Sequence, residues 1–281
     1  LTLHMKLTLG YSPCPNDTFI FGALATGKVK TSGIDWEILL ADVETLNEWA
    51  LEGKLSASKI SYHAYIYAQK QYILSRSGSA LGRGCGPLLI TTPQHQASLD
   101  MGKAVVAMPG KLTTAHLLSR LKYPGMQHVE QMVFSNIEQA VSDGTAEAGV
   151  IIHENRFTYQ DRGLVSLQDL GAFWEEETGM PIPLGGIGIR RDLSLPIQRQ
   201  IQRAIRASLD YAYANPDEIM PYVSEFAQEM DLGVMRQHID LYVNSYSLDL
   251  GDEGMQAVHI LLDKAREIGL TSEITTPVFV P

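Results

Sequence analysis

The 281-residue chain is short of several things, and each shortage removes a class of function. It has two cysteines, Cys14 and Cys85, both in Pro/Gly-rich stretches and far apart in sequence. Two thiols so placed are too few and too separated for a zinc site; a disulfide between them stays open, against which a reducing compartment would keep them as thiols. No run of roughly 18 apolar residues occurs, so no membrane-spanning helix is expected. No charged segment followed by an apolar one stands at the start, as a secretory leader would require. Cations are outnumbered, with 22 Lys plus Arg against 32 Asp plus Glu and a formal charge of −10. A nucleic-acid or anionic-membrane surface needs clustered cations, and this chain has no surplus to cluster. None of the eight histidines stands at metal-ligand spacing with carboxylates, so no metal is expected. Internal repeats and low-complexity segments are missing too. These absences leave a cytoplasmic globular protein, with a small anionic substrate still open if a few cations are placed locally.

What is present is an α/β pattern. The 45% hydrophobic content and the length suffice for one large or two medium domains. Strand-like segments at residues 6–10, 35–40, 54–60, 87–91, 103–108, 128–134 and 148–153 alternate with helical stretches, which predicts a largely parallel sheet. Asp42 stands ahead of a helix over 45–52 closed by Gly53, and Ser135 ahead of one over 136–142 closed near Gly144. Beyond residue 188 the pattern turns helical, over 192–215, 216–230 and 251–269. Two extended Gly/Pro-bearing stretches, 88–93 and 183–190, read as paired crossovers. They divide the chain into a larger discontinuous α/β lobe, residues 1–91 with 192–281, and a smaller inserted α/β lobe, 92–191. Residues 1–4, ahead of Met5, look like cloning remnants. Tyr211, Tyr213, Tyr222, Tyr242 and Tyr246 on the late helices either support a homodimer or pack on the sheet.

Open α/β sheets bind ligands beyond the carboxyl ends of their strands, so the polar residues at strand-to-helix joints are the candidates. The first joint, Gly10-Tyr11-Ser12-Pro13-Cys14-Pro15-Asn16-Asp17-Thr18-Phe19, sets two prolines, a thiol and capping side chains between an apolar strand and an apolar helix. The prolines fix two φ angles and so hold Ser12 and Asn16 in place, and the helix start offers N–H groups to an anion. Its plainer reading is a turn with Asn16 or Asp17 as N-cap. The second joint carries Lys59, Ile60 and Ser61, a cation beside a hydroxyl that would suit a carboxylate; alternatively Lys59 is a surface lysine and Ser61 a cap. The third has Gly110, Thr113 and Thr114, an anion or hydroxyl site or a cap. At the fourth, His153 is the first polar residue after the apolar run Ala148-Gly149-Val150-Ile151-Ile152. An imidazole with an ordinary pKa of about 6.5 can take and return protons near neutrality. Arg83, among Gly78, Gly82, Gly84 and Gly86, lies in a flexible loop where it could meet an anion. That loop lacks the Lys-Ser/Thr ending of a P-loop. Cys14, near a helix start, is weighed as a nucleophile or a packing residue.

The string Ser12-Pro13-Cys14-Pro15-Asn16-Asp17-Thr18-Phe19 resembles the N-terminal signature of the 1,4-dihydroxy-6-naphthoate synthase family, enzymes of the futalosine route to menaquinone. The likeness runs on through Asp42-Val43-Glu44-Thr45-Leu46-Asn47, Lys59-Ile60-Ser61-Tyr62, residues 78–86, Thr113-Thr114-Ala115, Ile151-Ile152-His153-Glu154-Asn155-Arg156 and residues 241–249. It implies a two-lobed fold like type II periplasmic binding proteins, with the ligand in the cleft between lobes. It also implies a cofactor-independent carbon–carbon lyase acting on cyclic dehypoxanthinylfutalosine, with His153 as proton acceptor and no covalent thiol step at Cys14. Lys59, Ser61, Thr113 and Thr114 would then grip the substrate, with Ser12 and Asn16 nearby, and Lys59→Ala would mainly raise KM. Two other readings share the fold: a non-catalytic binder of small carboxylates, and the chorismate dehydratase of the same pathway.

Overall fold

A computed structural model describes residues 4–153, 155–227 and 231–281. Residues 1–3 of the expected cloning remnant, Glu154 of the Ile-Ile-His-Glu string and Met230 at the end of the expected helix over 216–230 lie outside the described residues. The chain forms two units, Leu1–Gly82 with Pro183–Pro281, and Arg83–Ile182.

In the first unit, β1 (Met5–Tyr11) leads to α1 (Pro15–Ala25), β2 (Ile34–Leu40), α2 (Val43–Leu51), β3 (Ala57–Ser61), α3 (Tyr62–Ala68), β4 (Tyr72–Leu74) and β5 (Ala80–Gly82). Helix α1 has no polar face because it has no solvent face: every residue from Pro15 to Leu24 is buried. Asp42 caps α2 as its position in the sequence suggests, its carboxylate accepting from Glu44 N at 3.0 Å and Thr45 N at 3.1 Å.

The second unit follows with β6 (Leu88–Thr91), β7 (Val105–Met108), α4 (Thr114–Lys122) and β8 (His128–Gln131). A 3-10 turn (Phe134–Asn136) runs into α5 (Ile137–Ser142), and then come β9 (Ala148–Ile151), α6 (Asn155–Thr158), β10 (Val165–Asp169) and α7 (Leu170–Thr178). The chain returns to the first unit through β11 (Ile182–Arg190) and closes it with α8 (Leu195–Ala214), α9 (Pro216–Phe226), α10 (Leu232–Tyr242), α11 (Ser245–Leu248) and α12 (Gly251–Glu267).

Each unit has its own sheet, in the order β2-β1-β3-β11-β4 with β5 beside β11, and β10-β6-β9-β7-β8. Neither is as parallel as the alternation suggested. β1 runs parallel to β2 and β3, and β7 to β8 and β9, but β11 runs against β3 and β4, and β6 against β9 and β10. Hydrophobic periodicity reports that a segment is a strand, not the direction in which it enters a sheet. The crossovers fall ahead of both extended stretches, at 82/83 and 182/183 where the sequence reading had 91/92 and 191/192, because β6 bonds into the second sheet and β11 into the first. Strand β11 supplies closeness by lacking side chains: a Cβ on Gly186 would stand 2.9 Å from Tyr62 Oη, and one on Gly188 2.9 Å from Ile60 Cδ1.

The first core joins Leu7, Leu9 and Tyr11 of β1 to Phe19, Ile20 and Phe21 of α1 and to Ile201, Ile205 and Leu209 of α8. The second gathers Leu88, Ile90, Ala107, Ile137, Val141 and Ile151 around β6, β7, β9 and α5. At about 1.5–3 kcal/mol for each large apolar side chain fully buried, these clusters hold the strand ends from which the polar joints project.

Candidate active site

The first joint is organised by a residue that the sequence reading treated only as a capping candidate. Pro15 takes the first helical position and Cys14 the N-cap, so Asn16 and Asp17 lie inside the first turn of α1. Asp17 accepts from Ser12 N at 3.2 Å, Ser12 Oγ at 2.8 Å, Asn16 Nδ2 at 3.0 Å and Lys59 Nζ at 2.8 Å. All four residues are buried. A carboxylate taken out of water needs a counter-charge and donors, and Asp17 has both. With its amide nitrogen turned to Asp17, Asn16 presents its oxygen to His238 Nε2 at 2.9 Å, so that nitrogen donates. His238, on α10 and far from every joint in sequence, is thereby part of the cluster, and its ring lies 4.7 Å from that of Tyr242. Tyr11, at the end of β1, bonds Tyr222 at 2.6 Å; burial pushes its phenol well above the ordinary range, with Tyr222 and Asp17 adding to the shift.

The second joint has no loop, since β3 ends at Ser61 and α3 begins at Tyr62. Lys59 is not a surface lysine: its ammonium is ion-paired with Asp17 inside the protein. Ser61 is the N-cap by position, but its hydroxyl accepts from Asn47 Nδ2 at 3.0 Å while its N–H donates to Asn47 Oδ1 at 2.8 Å. Asn47 on α2 is fully buried, and in the sequence only its place in the Asp42–Asn47 string marks it. Ile60 is fully buried, with its side chain against Gly188 of β11. Because β1 and β3 are parallel neighbours, the first two joints leave the sheet at the same edge.

In the second unit, Thr113 caps α4, its Oγ1 accepting from His116 N at 3.3 Å and donating to Gly110 O at 2.7 Å. Thr114 opens the helix and is buried. His116 donates from Nδ1 to Lys111 O at 2.8 Å; burial lowers its pKa below the ordinary value, opposed by that carbonyl and helped by Arg120. Strand β9 stops at Ile151, short of the expected 153, and His153 stands in a turn. Its φ is 58°, the positive value that among described residues no other non-glycine shows. Histidine tolerates this region better than most residues, yet it costs an L-residue about 1–2 kcal/mol. The imidazole is half-buried and meets the Phe134 ring edge to face at 5.0 Å and 60°. β7 and β9 are parallel neighbours, so Thr113, Thr114 and His153 leave their sheet at one edge.

Arg83 is half-exposed, with Nη2 donating to Gly179 O at 3.1 Å at the C-terminus of α7 and Nη1 3.9 Å from Glu175. Both cysteines are buried thiols. Burial pushes the Cys85 thiol up to about 12. His63 is buried on α3 with its ring 5.6 Å from Tyr67. The five tyrosines considered for a dimer surface are all engaged within the chain: Tyr211 bonds Glu218, Tyr213 meets the Phe19 ring edge to face at 5.8 Å, Tyr222 bonds Tyr11, Tyr242 is buried beside His238 and Tyr246 bonds Glu253. Among the described residues no group of three or more His, Cys, Asp or Glu is placed to hold a metal ion, and no helix is long and apolar enough to cross a membrane.

A family model described as Menaquinone biosynthesis matches residues 7–267. Two curated relatives both bear the name 1,4-dihydroxy-6-naphtoate synthase. The one from Thermus thermophilus is 48% identical over 274 residues, 98% of this chain and 99% of that protein. The one from Streptomyces coelicolor is 45% identical over 269 residues, 94% of each. Among solved structures, a protein of Archaeoglobus fulgidus superposes with a TM-score of 0.88 at 34% identity, covering 95% of this chain and 98% of its own. A Candida albicans protein described as having the generic periplasmic binding protein fold does so at 0.70 and 13% identity, covering 96% and 92%, a likeness of fold alone. The two α/β sheets are thus those of a periplasmic-binding-protein fold, and the chain, matched along nearly its whole length, belongs to the menaquinone biosynthesis family.

Proposed function

We propose that this chain is a carbon–carbon lyase converting cyclic dehypoxanthinylfutalosine to 1,4-dihydroxy-6-naphthoate, the activity in the name of both curated relatives. The observation that carries the reading is the 48% identity to one such synthase over 98% of the chain. The reaction is a proton abstraction followed by carbon–carbon cleavage that releases the remaining sugar-derived fragment, driven by a ring becoming aromatic. It runs in the cytoplasm and without a cofactor. His153 is the base. Its place in a turn just past β9, partly buried and in a backbone conformation that costs energy, is what a residue held for chemistry looks like.

Thr113 and Thr114, at the same sheet edge as His153, supply hydroxyl and N–H groups to the anionic substrate. In the first unit Ser61, Ser12 and Asn16 stand at the carboxyl edge of their own sheet and are the binding candidates there. Lys59 acts there as half of a neutralised pair with Asp17, ordering Ser12 and Asn16 rather than serving as a lone carboxylate clamp. Ile60 and Arg83 complete the set, Ile60 buried in the sheet and Arg83 half-exposed while it bonds Gly179 O at the end of α7.

Incubating the purified protein with cyclic dehypoxanthinylfutalosine should yield naphthoate absorbance. Binding of that compound without turnover would favour a carboxylate-binding protein, and dehydration of chorismate would favour the neighbouring enzyme of the route.

A further inference from the structure

The turn that carries His153 is clamped on both sides by groups that the reaction does not use. On one side is Glu138 of α5, fully buried. Its Oε2 accepts from Asn155 Nδ2 at 2.6 Å and stands 3.3 Å from Arg162 Nε. On the other side Arg156 donates to Gly86 O and, at 2.7 Å, to Asp169 Oδ2, while Asp169 caps α7 through its second oxygen. The Arg156 N–H closes the turn on His153 O at 3.4 Å.

Glu138 reaches the turn because of a residue that is nearly nothing. Gly149 of β9 faces α5, and a Cβ there would fall 2.5 Å from Ile137 Cγ2 and 2.9 Å from Val141 Cγ2. Without that atom α5 lies close on the strand. The same segment, entering α5 from its 3-10 turn, sets Phe134 against the His153 ring and Glu138 against Asn155. One short ledge thus touches both the imidazole and the backbone turn that aims it. A positive φ at a non-glycine persists only where the surroundings hold it, and a buried charged acceptor bonded to the next described residue is such a hold.

We propose that Glu138 is a positioning residue for His153, acting through Asn155 to keep the turn in its left-handed conformation and the imidazole in register with the substrate. The proposal rests on the reading of His153 as the base, and it assigns no chemistry to Glu138 itself. Because misplacing a reacting group by about 1 Å can cost up to about 10²-fold in rate, the predicted signature is in kcat rather than in substrate binding.

The test is a set of variants of the full chain, Glu138→Ala, Glu138→Gln, Asn155→Ala and the double Glu138→Ala/Asn155→Ala, each checked for an unchanged thermal unfolding profile. Glu138→Ala and Asn155→Ala should each lower kcat roughly 10- to 100-fold with KM within about twofold. The double variant should be no worse than either single one, since both break the same link. Glu138→Gln, which keeps an acceptor oxygen, should restore most of the rate. In parallel, the His153 ring signals in histidine-labelled protein, assigned by their loss in His153→Ala, should move in both alanine variants and stay in place in Glu138→Gln. Unmoved ring signals, additive losses, or a Glu138→Gln as poor as Glu138→Ala would overturn the proposal. If the wild-type protein fails to turn over the futalosine derivative, the lyase reading falls, while the ring signals still decide whether Glu138 positions His153. If Glu138→Ala fails to fold, Asn155→Ala and Glu138→Gln carry the same decision.

Discussion

Lys59 Nζ lies 2.8 Å from Asp17 Oδ1 with both side chains almost wholly out of water, 8% and 2% exposed. Removing one partner of such a pair strands the other, which costs about 3–5 kcal/mol, whereas replacing both with neutral groups of similar size costs much less. Lys59→Met and Asp17→Asn should each lower stability by about that amount in urea unfolding, and the double variant by far less. A Lys59 variant that raises KM while keeping full stability would show instead that the ammonium serves a ligand.

His153→Ala should lose about 10²- to 10⁴-fold in turnover while the fold persists, the contribution of a positioned base. His153→Gly should be equally inactive but more stable than His153→Ala by about 1 kcal/mol, because glycine accepts a φ of 58° without the penalty that a Cβ incurs. Turnover assays and thermal unfolding of the pair check the two halves separately. Equal stabilities would mean that the turn relaxes once the imidazole is gone.

Alkaline stability follows from Cys85. Burial holds its pKa at about 12 in the folded chain against an ordinary 9.0, so above pH 9 the unfolded chain releases a proton that the folded one retains. Fewer protons on the unfolded state mean that stability falls as pH rises, from about 9 up to about 12. Above pH 10 the buried phenols of Tyr65 and Tyr72, each raised to about 12 by burial, steepen the fall. Cys85→Ala should postpone the onset of the loss from about pH 9 to about pH 10, read as unfolding midpoints across that range.

Gly149→Ala places a methyl where Ile137 and Val141 already stand. Overpacking of this kind costs about 1–3 kcal/mol, and here it would also lift α5 from β9. Calorimetry should show the loss, and Ile137→Ala, which removes the Cγ2 that the new methyl meets, should cost less in the Gly149→Ala background than in the wild type. An unaltered transition would mean that the helix is looser on the strand than its spacing implies.

What the sequence made legible was local. The capping Asp42, the buried α1 and the emptiness of positions 186 and 188 are written in residue type and spacing. Three-residue β4 and β5 are shorter than any window in which periodicity can register, and nothing in Gly-rich β11 tells which way it will run beside β3. The candidate site was legible by position and misread by partner. Ser12, Asn16 and Lys59 stand where the joints placed them, yet their common partner Asp17 read as a cap, because an acidic residue just ahead of an apolar helical run is ordinarily one. His238 could not be found from spacing at all, since its bond to Asn16 joins positions 222 residues apart. A hint was available in composition: Lys59 lies between Ser58 and Ile60 in a strand otherwise fit for burial, and a lysine in such a place needs an acid from elsewhere.

Strand β11 fills the place between β3 and β4, bonding Ile187 beside Lys59 and Ile189 beside Ile73. A ribosome making this chain delivers β3 and β4 long before the strand that joins them, whereas the inserted unit emerges whole and uninterrupted. Synthesis and assembly therefore run in opposite orders, with the middle of the polypeptide complete first and its beginning waiting, one sheet edge bare, for residues that come later.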